Sequence, residues 1–283
     1  MARCLVTGHE GYIGSHLYQK LQQLGHEVMG IDLMSIKQMG DVRSDKFLKS
    51  SKWRSFKPEF IFHLAAKPSV QWSVENPSQS LSHNVHGTSC VLEFAKEVGA
   101  RRVIFSSSAA VYGNEGSPSN PYGLHKLMSE MECKLYAEFY DIDTVSLRYF
   151  NVFSKDQKYG GPYSTVIAAW NYAHRNNKPF VIYGDGQQTR DFVHVEDVVD
   201  CNIFCMNHKD KFKGIALDVG AGVSTSLNQL KDVISTIQNC EWFYKEARTG
   251  DIKDSRANTA SLKNMGWHPT IEVMNSIKQI FGG

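Results

Sequence analysis

The chain has 283 residues, 42% of them hydrophobic, enough to bury a large core as one α/β unit or two unequal lobes. Lys and Arg number 31 against 29 Asp and Glu, so the net charge of +2 argues against nucleic acid or an anionic membrane surface as the main partner. The six cysteines are scattered without a C-x-x-C pair, which argues against a zinc site and fits reduced thiols in a cytoplasmic protein. No apolar stretch approaches the ~20 residues of a membrane span, and the N-terminus runs straight into a Gly-rich turn, so no anchoring or targeting segment is expected.

In chain order, short apolar runs at residues 4–6, 28–31, 60–64, 103–105 and 145–149 predict strands, and the helical patterns between them predict a parallel sheet. Ile13, Leu17, Leu21 and Leu24 recur at helical spacing, and Gly25 suits the left-handed end of that first helix. Further helices are expected at 78–98 and 122–140. Beyond residue 150 the alternation loosens into a loop through 160–162, a helix near 165–175 and a strand at 181–183. The expected division is therefore 1–150 and a smaller α/β lobe over 151–283, with 183–210 crossing back to the first. Cys201 and Cys205 stand four apart in an expected helix and are read as core packing rather than metal ligands.

Gly8, Gly11 and Gly14 form a G-x-x-G-x-x-G turn between the first strand and the first helix, where bare backbone approaches a pyrophosphate at a helix N-terminus. Asp32 ends the second strand, where a carboxylate accepts hydrogen bonds from ribose hydroxyls and repels a 2′-phosphate. The pair favours NAD, with nearby Lys37 as the residue that keeps NADP in view. Tyr122 and Lys126 lie four apart on one helical face. A free phenol titrates near ~10, and an adjacent ammonium and a cationic nicotinamide both favour its anion, which then takes an alcohol proton as hydride leaves. Ser106, Ser107 and Ser108 follow an apolar strand and emerge at the carboxyl edge of the sheet, where one of them orients the reacting oxygen.

These stretches, with Asp41-Val42, His63 to Ala66, Asn84 to Thr88, Ser106 to Gly113 and Arg148 to Asn151, resemble the NAD-dependent epimerase/dehydratase family of extended short-chain dehydrogenases over nearly the whole chain. The likeness is strongest to the UDP-glucose/UDP-galactose 4-epimerases. It implies a Rossmann-type doubly wound sheet with a smaller C-terminal substrate lobe, NAD as cofactor, a nucleotide-sugar substrate and a homodimer. It implies that Gly8, Gly11, Tyr12, Ile13, Gly14, Asp32, Asp41, Val42, Leu64, Ala65, Ala66, Asn84, Ser106, Tyr122, Lys126 and Tyr149 hold NAD. Tyr122, Lys126 and Ser108 are its catalytic set. Lys67, Ser108, Asn151, Val166, Tyr183, Arg190, Arg248, Asp251 and Ser255 are its substrate contacts, with the two arginines on the diphosphate.

Dehydratases of the family carry an acid after the catalytic serine, and here stand Ala109 and Ala110. The resemblance thus favours 4-epimerisation, and the small Ser255 implies room for N-acetylhexosamines. Uronic-sugar epimerisation, dehydration and 4-keto reduction use the same core residues and remain rivals. A non-catalytic NAD-binding scaffold is the rival of another class, opposed by the intact Tyr122, Lys126 and Ser108. Residues 114–121 and 32–41 are shorter than in relatives, which predicts an open substrate mouth and a trimmed adenosine side.

Overall fold

A computed structural model describes residues 1–34, 40–44, 47, 49–160, 164–247 and 252–282. The elements run β1 (Arg3–Thr7), α1 (Tyr12–Gln23), β2 (Glu27–Ile31), α2 (Ser51–Phe56), β3 (Phe60–His63), α3 (Val70–Glu75) and α4 (Pro77–Leu81). A π-helical turn at Ser82–His86 leads into α5 (Gly87–Val98), then β4 (Arg102–Ser108), α6 (Pro121–Phe139) and β5 (Asp143–Tyr149). The remainder is β6 (Asn151–Phe153), α7 (Val166–Arg175), β7 (Phe180–Tyr183), β8 (Thr189–His194), α8 (Val195–Asn207) and β9 (Ile215–Val219). It ends with β10 (Ser224–Ser226), α9 (Leu227–Ile237), β11 (Trp242–Lys245), α10 (Ala260–Asn264) and α11 (Val273–Phe281).

The main sheet has the order β2-β1-β3-β4-β5-β9, and every pairing in it is parallel. Such a sheet is covered on both faces, so its strands read as unbroken apolar runs whose alternate residues enter two cores. Cys4, Val6, Phe62 and Ile104 pack with Leu17 and Leu21 of α1 and Val198 of α8. Leu5, Ile61, Val103 and Phe105 pack on the opposite face with Val91 and Phe94 of α5. Leu17 and Leu21 are fully buried, each contributing about 1.5–3 kcal/mol.

The expected strands and helices are all present, with ends moved by a few residues. The return to the main sheet extends further than 183–210, because after α8 packs against α1 the chain adds β9 as the sixth strand. A second core gathers Trp170, Phe180, Phe192, Leu230 and Ile277 beside the small sheets β10-β8-β6 and β11-β7. Cys201 and Cys205 lie fully buried in the first core.

Candidate active site

The glycine turn is fixed by steric necessity. Gly8 has φ +76°, and a Cβ there would stand 2.7 Å from the Ala65 amide nitrogen, so β1 and the segment after β3 close together only around a bare backbone. Gly8 N–H donates to Ile31 O (2.8 Å) and Gly11 N–H to Gly8 O (3.1 Å). α1 then starts at Tyr12, with Ile13 and Gly14 in its first turn, and its cap residue Gly11 offers no side-chain acceptor. First-turn amides left in this way suit a pyrophosphate. The Asp32 carboxylate accepts the Glu10 amide (3.1 Å) and the Met34 amide (2.9 Å), which holds it on the rim of the turn. Turn, helix end and acid together fit NAD.

Behind the turn, His63 bonds Thr7 Oγ1 (2.8 Å) and Thr88 Oγ1 (3.1 Å). Its burial, then the Lys126 charge, push its pKa down to about 3, so it is a neutral bridge. Thr7 also accepts the Ala65 amide (3.2 Å), and Asn84 Oδ1 accepts the Lys67 amide (3.0 Å), so residues 64–67 are pinned from both sides. Asp41 lies beside buried Val42, but its carboxylate is engaged by Arg43 at 2.5 Å, which holds it below the usual carboxylate range. Lys37 lies outside the described residues.

Helix α6, which carries Tyr122 and Lys126, is capped by Asn120, whose side chain accepts the Gly123 amide (2.9 Å), with Pro121 in the first turn. The Tyr122 amide donates to Ser73 Oγ (3.1 Å). A Cβ at Gly123 would stand 2.3 Å from Ala110 O, so only glycine brings the helix start this close to the turn after β4. Tyr122 is consequently buried, and Lys126 is 3% exposed with its ammonium 6.0 Å from the centre of the Tyr122 ring. Lys126 Nζ donates to Ser106 O (2.7 Å), and burial lowers its pKa to about 8.

The three serines at the end of β4 diverge. Ser106 Oγ donates to Tyr149 Oη (3.1 Å), which is itself bound by Asn202, and Ser107 Oγ donates to Glu130 (2.5 Å). Ser108 Oγ accepts the Ala110 amide (3.2 Å), and among the described residues nothing accepts its proton. The phenol of Tyr149 therefore supports Ser106 instead of presenting its hydroxyl to the cleft.

A cavity of about 100 Å³ next to this turn is lined by Ala109, Tyr112, Gly113, Phe150, Ile252, Asp254, Ser255 and Arg256. Arg190 reaches it from β8 by donating to Ile252 O (2.6 Å). Asn151 opens β6, Val166 begins α7 and Tyr183 ends β7, on the second-lobe side. Lys67 sits with its ammonium 5.8 Å from the centre of the Trp72 ring. Tyr12 crosses to the same side through its hydroxyl contact with Ser154 (2.6 Å). Arg248 and Asp251 lie outside the described residues.

Sequence reasoning gave no role in the site to His63, Ser73, Tyr112, Glu130 or Asp254, although His63 and Tyr112 lie in the stretches that carry the resemblance. Glu130 was within reach, since it continues the Tyr122, Lys126 spacing by four. The others act through tertiary contacts that no local pattern encodes.

The model of the NAD dependent epimerase/dehydratase family matches residues 4–220. The chain belongs to this family. Its members' cofactor is NAD, which the geometry of the turn and acid described above fits. The chain is 34% identical to a UDP-glucose 4-epimerase of Mycolicibacterium smegmatis, covering 97% of this chain and 96% of that one. Among solved structures it resembles a UDP-N-acetylglucosamine 4-epimerase of Methanobrevibacter ruminantium, in complex with UDP-N-acetylmuramic acid, at TM-score 0.88 and 30% identity, over 99% and 97% of the two chains. It also resembles a Thermus thermophilus UDP-glucose 4-epimerase in complex with NAD, at TM-score 0.87 and 26% identity, over 99% of each chain. The protein is an NAD-dependent enzyme of nucleotide-sugar chemistry.

Proposed function

We propose that the protein is a UDP-sugar 4-epimerase interconverting UDP-GlcNAc and UDP-GalNAc, alone or together with UDP-Glc and UDP-Gal. One observation carries the reading: of the serines closing β4, only Ser108 keeps an uncommitted hydroxyl, and it is followed by Ala109 and Ala110 where dehydration needs an acid. Asp254 is the carboxylate among the cavity-lining residues, and it is engaged by Thr189 Oγ1 (3.0 Å) at the start of β8.

In this mechanism Tyr122 removes the proton of the sugar 4-hydroxyl while Ser108 holds the same oxygen. Lys126 supports the charge that develops on the phenol. Its ammonium, anchored on Ser106 O, stands in a dry site where electrostatic stabilisation is strong. NAD, when bound, supplies the acceptor and later donor of the hydride. The 4-keto sugar turns over so that the other face of its C4 receives the hydride, and Tyr122 returns the proton to the 4-oxygen. Arg190 and Arg248 hold the diphosphate during that rotation as planar bidentate donors, with Asn151 beside them. Ser255 on the cavity wall leaves space for a 2-acetamido group.

The same reading includes a homodimer. Leu124, Met128, Met131, Leu135 and Phe139 form an exposed apolar stripe along α6, which suits a second copy across a two-fold axis. Incubation with a panel of UDP-hexoses, UDP-N-acetylhexosamines and UDP-glucuronate, followed by chromatography, tests the substrate. Interconversion of the N-acetylated pair is expected. Turnover of UDP-glucose with UDP-GlcNAc untouched overturns the pocket reading, and a deoxy or decarboxylated product overturns epimerisation.

A further inference from the structure

Tyr112 stands at the junction of two features already described. Its ring lines the cavity with Ala109, Phe150 and Ser255, while its hydroxyl points into the protein. There it accepts from Arg148 Nη1 (2.7 Å) and donates to Asp218 Oδ1 (2.7 Å).

Both partners continue. Arg148 grips Glu130 through two bonds (2.9 and 2.6 Å), and Glu130 lies four residues beyond Lys126 on the catalytic helix. Asp218 Oδ2 accepts the Asn258 amide (2.9 Å), and the preceding amide, Ala257, goes to Asp191 (2.9 Å). Two successive amides of the loop after Ser255 are thus held by buried carboxylates from β9 and β8. The chain Glu130, Arg148, Tyr112, Asp218, Asn258 is therefore unbroken from the helix that carries Tyr122 to the loop that carries Ser255.

We infer that Tyr112 is a positioning residue for sugar specificity, fixing the Ser255 wall relative to the catalytic helix. This rests on the reading that the cavity takes the sugar. The hydroxyl is a neutral link between the charged groups of Arg148 and Asp218, so its removal strands no buried charge. Arg148 keeps both bonds to Glu130, and Asp218 keeps the Asn258 amide. Burial and then Asp218 push the phenol up to about 12, so the link remains a donor at physiological pH. What the hydroxyl adds is tension between helix and loop. The expected effect of losing it is roughly tenfold, which is about 1.4 kcal/mol, the order of one hydrogen bond to a charged group.

The test is Tyr112→Phe in the full chain, which keeps the ring as wall. KM for UDP-GlcNAc is expected to rise roughly tenfold and KM for UDP-glucose by less, so that the preference between them narrows, with kcat changed less than KM. NAD affinity and the affinity for UDP alone, measured by calorimetry, stay at the wild-type values. Asp218→Asn, which weakens the same link from its other side, shifts KM in the same direction. Unchanged KM in Tyr112→Phe overturns the inference, as does a joint fall of kcat, NAD affinity and urea midpoint, the signature of a purely structural role. If the wild-type protein turns over none of the sugars, the epimerase reading fails by itself. The inference is then decided by binding: loss of UDP-GlcNAc affinity with UDP affinity retained supports it, and parallel loss or no change overturns it.

Discussion

Strand β4 begins with one buried cation and ends beside another, and the two are treated in opposite ways. At the amino edge, Arg102 is 2% exposed and saturated: it pairs with Asp143 (2.5 Å), donates to the carbonyls of Cys205 in the last turn of α8 and of His208 and Asp210 beyond it, and lies over the Phe212 ring. At the carboxyl edge, Lys126 is as deeply buried and also lies over an aromatic ring, that of Phe105, yet among the described residues its ammonium donates to one carbonyl, Ser106 O, and forms no ion pair. A guanidinium that caps the negative end of a helix and meets a carboxylate serves the fold. An ammonium kept short of partners is costly to bury and remains available to a charge that forms during reaction. The lesson is that burial alone does not distinguish structure from chemistry; the completeness of the partner set does.

The comparison is most exposed at Tyr122. Tyr122→Phe is expected to lower kcat by roughly 10²–10⁴-fold, the scale of lost acid–base catalysis, with NAD affinity and urea midpoint near wild type. Product formation at the wild-type rate would assign the proton to another group. At the other end of β4, Arg102→Met strands the Asp143 carboxylate and is expected to cost about 3–5 kcal/mol in urea unfolding, while the folded fraction keeps its KM and kcat. A catalytic defect without a stability loss would erase the contrast.

The smallest effect is the pH dependence of Lys126. Its folded pKa, about 8, is below the unfolded value near 10.5, so the unfolded chain binds the extra proton between these pH values. The burial penalty is fully present below pH 8 and is relieved as pH rises toward 10.5. Wild type should therefore gain stability relative to Lys126→Met across that window, seen as converging urea midpoints. A gap of constant size between pH 7 and 10.5 would mean that the ammonium is not desolvated as the structure has it.

Much of the fold was legible because a parallel sheet writes itself locally. Strands such as residues 103–105 are apolar on both faces, and Leu17 and Leu21 mark a helix by spacing alone. The NAD turn was legible for the same reason, since Gly8, Gly11 and Asp32 are close in sequence. β9 was not read, because a strand that joins the sheet after a long excursion has no local pattern announcing its neighbour. The choice among Ser106, Ser107 and Ser108 was equally illegible without partners from β5, α6 and α8.

By itself, then, the sequence determined the alternating α/β plan, the phosphate turn with its acid, and the phenol and ammonium on one helical face, because each depends on residues within a few positions of one another. The tertiary structure decided which of the three serines keeps a hydroxyl without an acceptor among the described residues, that Asp41 pairs with Arg43, and that Glu130, Arg148, Tyr112 and Asp218 join the helix of Tyr122 and Lys126 to the Ser255 loop. Those choices rest on hydrogen bonds between strands and helices far apart in the chain, whose geometry exists only once the sheet has closed and its cores have packed.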